Sequence, residues 1–140
     1  MTLDNLSNLA RIGQLNEEPP NLKEIDGLLK SAKDRLHDVA NNPLSFAGRF
    51  DLAYNAAHAL ALAALRFHGY RSDKRYLVFQ CLVHTLGLSQ AKVQVFDICH
   101  HRRNLAEYEG HFEIDEQLLG ELIELSNELV ERVSKMTASE

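Results

Sequence analysis

Tryptophan is absent from this chain, and cysteine and proline are scarce: Cys81 and Cys99, and Pro19, Pro20 and Pro43. Two distant cysteines cannot form a disulfide framework and show no metal-ligand spacing, which points to a reduced, cytoplasmic setting. So few prolines leave long stretches free to be helical. No apolar run suits a bilayer, because the most apolar stretch, 53–67, is interrupted by Asn55, His58 and Arg66. No membrane partner is therefore expected. Residues 1–15 lack a basic start followed by an apolar run, so no secretory leader is expected there. There is no glycine-rich phosphate loop, internal repeat or low-complexity tract, and no alternation of period two long enough to argue a sheet.

What is present is helical spacing. The 140 residues are 45% hydrophobic and 25% charged, the profile of one globular domain spanning 1–140. Leu3, Leu6, Ala10 and Leu15 mark an amphipathic helix over 1–15, and the two prolines make 16–20 a linker. Residues 21–40 repeat apolar side chains at Leu22, Ile25, Leu29, Ala32, Leu36 and Val39. Ser45 can cap an alanine-rich helix carrying Phe46, Phe50, Ala53, Ala57, Leu60 and Ala64. Ser72 is expected to cap a shorter helix running to Leu86. Ser89 begins another with Val93, Phe96, His100 and Arg103, which runs towards Gly110. Asp115 opens the last, with Leu118, Leu122, Leu125, Leu129, Val133 and Met136 on one face. Short connections between such helices predict an all-α, up-and-down bundle of about four core helices plus short extras, over 21–137.

Charge is unevenly placed. The net charge of −5 opposes non-specific attraction to nucleic acid, so a polyanion needs a local basic patch. One exists in sequence: between residues 66 and 103, seven bases (Arg66, Arg71, Lys74, Arg75, Lys92, Arg102, Arg103) face two acids (Asp73, Asp97), a net +5. His68, His84, His100 and His101 add protonatable groups, and the chain turns acidic after Asn104. A phosphate-binding face beside an acidic one is one reading; pairing between adjacent helices is the other.

The densest polar cluster is His100-His101-Arg102-Arg103-Asn104, followed by Glu107, Tyr108 and His111. On a helix, Arg103, Asn104, Glu107 and Tyr108 share one side. Arginine offers a permanently charged planar fork for phosphate. Asn104 can donate and accept, Tyr108 can donate, and His111 titrates near neutral pH. The rival reading bonds the arginine to a helix carboxylate and makes Tyr108 and Asn104 interhelical locks. No histidine or cysteine pair has convincing metal spacing, so no metal or other cofactor is expected. His58 reads as a hydrogen-bonded core histidine, and Tyr54 as a packing residue.

The Arg103-Asn104-x-x-x-Tyr108 segment at a helix end resembles the signature region of the HEPN superfamily. The runs 50–58 (Phe50-Asp51-Leu52-Ala53-Tyr54-Asn55-Ala56-Ala57-His58) and 63–71 are similar to a branch of small stand-alone bacterial HEPN domains. The resemblance covers roughly Leu22 to Val133. It implies a helical bundle, commonly a homodimer with two motifs facing one cleft. It also implies RNA or nucleotide binding, and in many members metal-independent RNA cleavage of toxin–antitoxin or defence type. An antitoxin or a nucleotidyltransferase-type protein would be the partner. Carried over, Arg103 matches the family arginine and Asn104 its polar neighbour, with Arg102, His100, Arg66, Arg71 and Arg75 as further binding groups. The chain departs at the family histidine, where it has Tyr108; His111 lies further on, beyond Gly110. The implied alternatives are a slow ribonuclease using Arg103, Asn104, Tyr108 and His111, or a module of the same fold that binds a nucleotide or a partner protein without cutting.

Overall fold

Asn21 accepts a hydrogen bond from the Glu24 amide (3.1 Å), and α2 (Leu22–Asn41) starts there. Ser45 and Ser89 cap α3 (Phe46–Phe67) and α6 (Gln90–Glu109) through the amides of Gly48 (3.0 Å) and Lys92 (3.3 Å). Asp115 takes the Leu118 amide at 2.8 Å at the start of α7 (Glu116–Ala138). Each contact satisfies an amide that has no partner within its helix and contributes about 1 kcal/mol. Gly110 ends α6 with φ 74°, a left-handed conformation that a side chain would strain.

These helices form an all-α bundle in a computed structural model that describes residues 2–110 and 113–138. Three shorter helices complete it: α1 (Thr2–Arg11), α4 (Arg75–Gln80) and α5 (Leu82–Thr85). The central element is α3, which packs on α2, α4 and α7 and touches α6. Its stripe was expected on one side. Instead Ala53, Tyr54, Ala56, Ala57, Ala59, Leu60, Ala61, Ala63, Ala64 and Leu65 are all buried, so every side is covered. Small alanines let neighbouring backbones come close around it. On α2 and α7 the expected stripes are largely inside, with Leu22 the exception at 49% exposed.

Three boundaries differ from expectation. The first helix ends at Arg11 rather than residue 15, and Leu15 is buried after a turn through Gly13. The stretch 16–20 is no free linker: β1 (Asn16–Glu17) pairs antiparallel with β2 (Tyr70–Arg71), and the Glu18 amide donates to the Gly69 carbonyl at 2.9 Å. Two-residue strands carry no periodicity, which is why alternation gave no sign of them. The single helix expected over 72–86 is broken at Cys81. Ser72 accepts from the Lys74 amide (3.1 Å), a turn contact, and α4 has no side-chain cap. The break serves two burial demands: α4 packs Val78 and Phe79 towards α3 and α6, and α5 turns to α1. Among the described residues no helix is long and apolar enough to cross a membrane.

Candidate functional site

Folding pairs three of the basic segment's seven bases, Arg66, Arg71 and Lys92, with carboxylates. Arg66, expected to bind, is fully buried near the end of α3. Its Nε donates to Glu24 Oε1 (2.8 Å), its Nη1 to the Glu18 carbonyl (2.9 Å) and its Nη2 to the Pro19 carbonyl (2.8 Å). Arg71 bridges the carboxylates of Glu18 and Glu24. Hydrogen bonds from Arg66 and then Arg71 hold the Glu24 carboxyl below its ordinary range. Both arginines therefore tie the 16–20 segment to α3 and β2. The assignment of Arg66 to binding is corrected on this ground: no ligand reaches a sealed guanidinium. Arg71 is already matched by two acids. Lys92 pairs with Glu128 (2.9 Å), and Arg102 donates to the Glu113 carbonyl at 2.5 Å.

Arg103, His100 and Asn104 on α6 converge with Arg75 on α4 around Tyr54 of α3. The Tyr54 hydroxyl meets His100 Nδ1 at 2.8 Å, and Asn104 Nδ2 lies 3.3 Å from His100 Nε2. The asparagine amide donates to Nε2, so the neutral tautomer with its proton on Nδ1 satisfies both contacts. Burial is the first cause that lowers the His100 pKa, with Arg103, Arg75 and His101 adding and Asp97 opposing. His100 is thereby held neutral. Arg103 Cζ lies 5.3 Å from the centroid of the Tyr54 ring, a cation–π contact. Its Nε is buried without a hydrogen-bond partner, and among the described residues no carboxylate reaches it. On its outer side is an open groove of about 310 Å³, lined by Ala47, Gly48, Phe50, Asp51, Ala106 and Glu107. Asp51 and Glu107 stand on the groove walls without pairing to Arg103.

Tyr108 does not join this cluster. It is 79% exposed at the end of α6, among the most exposed large side chains of the described residues. The helical turn carries it round from Arg103, five positions earlier, so the shared side expected for both is not realised. His111 lies outside the described residues.

Two residues read as packing belong to the site. Tyr54 is fully buried, yet its hydroxyl and ring organise His100, Arg103 and Arg75. Burial raises its pKa, and the Arg75 hydrogen bond opposes that rise. His58, one turn further along α3, leaves Nε2 buried and unbonded, so its reading as a hydrogen-bonded core histidine is corrected at that atom. Burial first, then the charges of Arg75, His100 and Arg103, push its pKa down to about 4. The available signal was a tyrosine and a histidine four apart on an apolar helix. Burial likewise raises the thiols, Cys81 to about 11 and Cys99 to about 12, leaving them inert at neutral pH. Among the described residues no three histidine, cysteine or acidic side chains are grouped to hold a metal.

No family model, curated protein or solved structure matches the chain.

Proposed function

We propose that the chain is a HEPN-like, cytoplasmic RNA-binding domain that holds a backbone phosphate at Arg103, with Asn104 and His100 beside it. The observation that carries this reading is the Arg103 guanidinium. It borders an open groove, has an unbonded Nε, and meets no carboxylate among the described residues. A planar cation left without an internal anionic partner is suited to an external anion. As in the family it resembles, the domain is proposed to act as a homodimer, two Arg103 side chains facing one cleft.

Binding without cutting is favoured over cleavage. Metal-independent cleavage needs a base at the ribose 2′-hydroxyl as well as a cation at the phosphate. Tyr108 is 79% exposed, and both ring nitrogens of His100 are engaged. Incubation with mixed RNA in EDTA tests this: the RNA should stay intact, and Arg103-dependent cleavage would restore the ribonuclease reading. Arg103→Ala should weaken RNA binding by about 1.5–3 kcal/mol, the worth of a charged hydrogen bond. Unchanged affinity in a filter-binding or anisotropy titration would remove Arg103 from the interface.

A further inference from the structure

Arg75 enters the site from α4, and the sequence motif makes no demand for it. Its Nη1 donates to Asn55 Oδ1 at 3.0 Å, and its Cζ lies 5.5 Å from the same Tyr54 ring that Arg103 covers at 5.3 Å. Two guanidinium groups thus share one phenol ring. Among the described residues neither has a carboxylate at ion-pairing distance. Like charges gathered in this way repel, and a bound anion relieves the repulsion. Below, the floor is closed: Tyr54 and Phe79 are fully buried, and the Phe79 ring packs against Tyr54, His58 and His100. A closed floor suits the end of a ligand better than a chain passing through. A phosphodiester brings one negative charge, whereas a phosphate monoester approaches two at neutral pH and matches two arginines.

We propose that Arg75 and Arg103 together clamp a phosphate monoester, the terminal phosphate of an RNA or a nucleoside monophosphate, beside Tyr54. The clamp rests on the RNA-binding reading only for what the phosphate is attached to. Calorimetric titration separates the two. One short oligoribonucleotide is compared in three forms, with a 5′-phosphate, with a 3′-phosphate and with hydroxyls at both ends, and AMP is titrated alone. One phosphorylated form is expected to bind about tenfold tighter than the hydroxyl form, equivalent to ~1.4 kcal/mol. Arg75→Gln should erase that preference. Equal affinity for all three RNAs, with no AMP binding, overturns the clamp while leaving RNA binding in place. Saturable AMP binding that Arg75→Gln abolishes supports the clamp whether or not RNA binds, and with no RNA bound it overturns the RNA reading instead. No binding of any ligand overturns both. The wild-type comparison decides the matter even where the Arg75 variant fails to fold.

Discussion

Arg66 and Arg103 are the same side chain put to opposite uses. Arg66 is enclosed by two carboxylates and by backbone carbonyls that have no other donor at hand. Removing it takes the donors away from the Glu24 carboxylate and from the Glu18 and Pro19 carbonyls, so Arg66→Ala should cost about 1.5–3 kcal/mol in urea unfolding. Arg66→Lys should rescue little, since one ammonium cannot reach acceptors spread over a planar fork. Arg103 loses only a cation–π contact within the chain, and Arg103→Ala should cost under about 1 kcal/mol of stability. Equal destabilisation by the two alanine variants would mean that Arg103 is structural. His58 makes a pH prediction of definite sign. Its folded pKa of about 4 lies below the ordinary 6.5, so the unfolded chain takes up the proton first. Its stabilisation is therefore complete above pH 6.5 and drains away as pH falls towards 4, by about 3 kcal/mol at most. His84 and His100 are shifted in the same direction, whereas Glu24 and Glu128, lowered from 4.5, act only below that pH. Stability measured at pH 7, 6 and 5 should decline in the wild type and decline less in His58→Gln. An identical slope in the two proteins would show that His58 is not held neutral.

Among the helices, what could be read from the sequence was what is local. Ile25, Leu29, Ala32, Leu36 and Val39 recur at the helical period, and Ser45, Ser89 and Asp115 stand where orphan amides need an acceptor. On α3 the period says less, because a helix apolar on every side offers no face to choose. The break at Cys81 was not legible at all: it depends on Phe79 having to reach Tyr54 and Phe96 across α3 and α6. The site divides in the same way. His100, Arg103 and Asn104 are neighbours on one helix and could be grouped by spacing, whereas Arg75 joins them only through tertiary packing. The sealing of Arg66 by Glu18 and Glu24 was hidden for the same reason, since these partners lie far apart in the chain. The first helix also acquires its role only in three dimensions. Leu6 is fully buried, and α1 packs on α5. Leu6→Ala should therefore cost about 2–5 kcal/mol in urea unfolding. A cost near zero would mean that α1 is dispensable to the bundle, leaving it free to dock elsewhere.

At the scale of the whole molecule, the proposed RNA binding has to be reconciled with a net charge of −5. Sequence alone suggests a broad basic face, but folding removes most of it. Arg66 and Arg71 are spent on Glu18 and Glu24, Lys92 on Glu128, and Arg102 on the Glu113 carbonyl. Lys74 stays exposed, and Arg75 and Arg103 face the same ring. Binding through so few cations has a measurable consequence, because each phosphate neutralised on a single strand contributes about −0.7 to the slope of log K against log salt. For an RNA with one terminal phosphate the slope should be about −1.4 for one chain, from the two charges that Arg75 and Arg103 neutralise, and roughly −2 for a dimer whose second Arg103 holds an internal phosphate of the same RNA. Sedimentation at the same protein concentrations tells which of the two applies. Removing Arg75 should make the slope shallower by about 0.7 for an RNA with a terminal phosphate. A slope steeper than about −5 would require a broad cationic surface, in conflict with the ion pairs that this fold has already made.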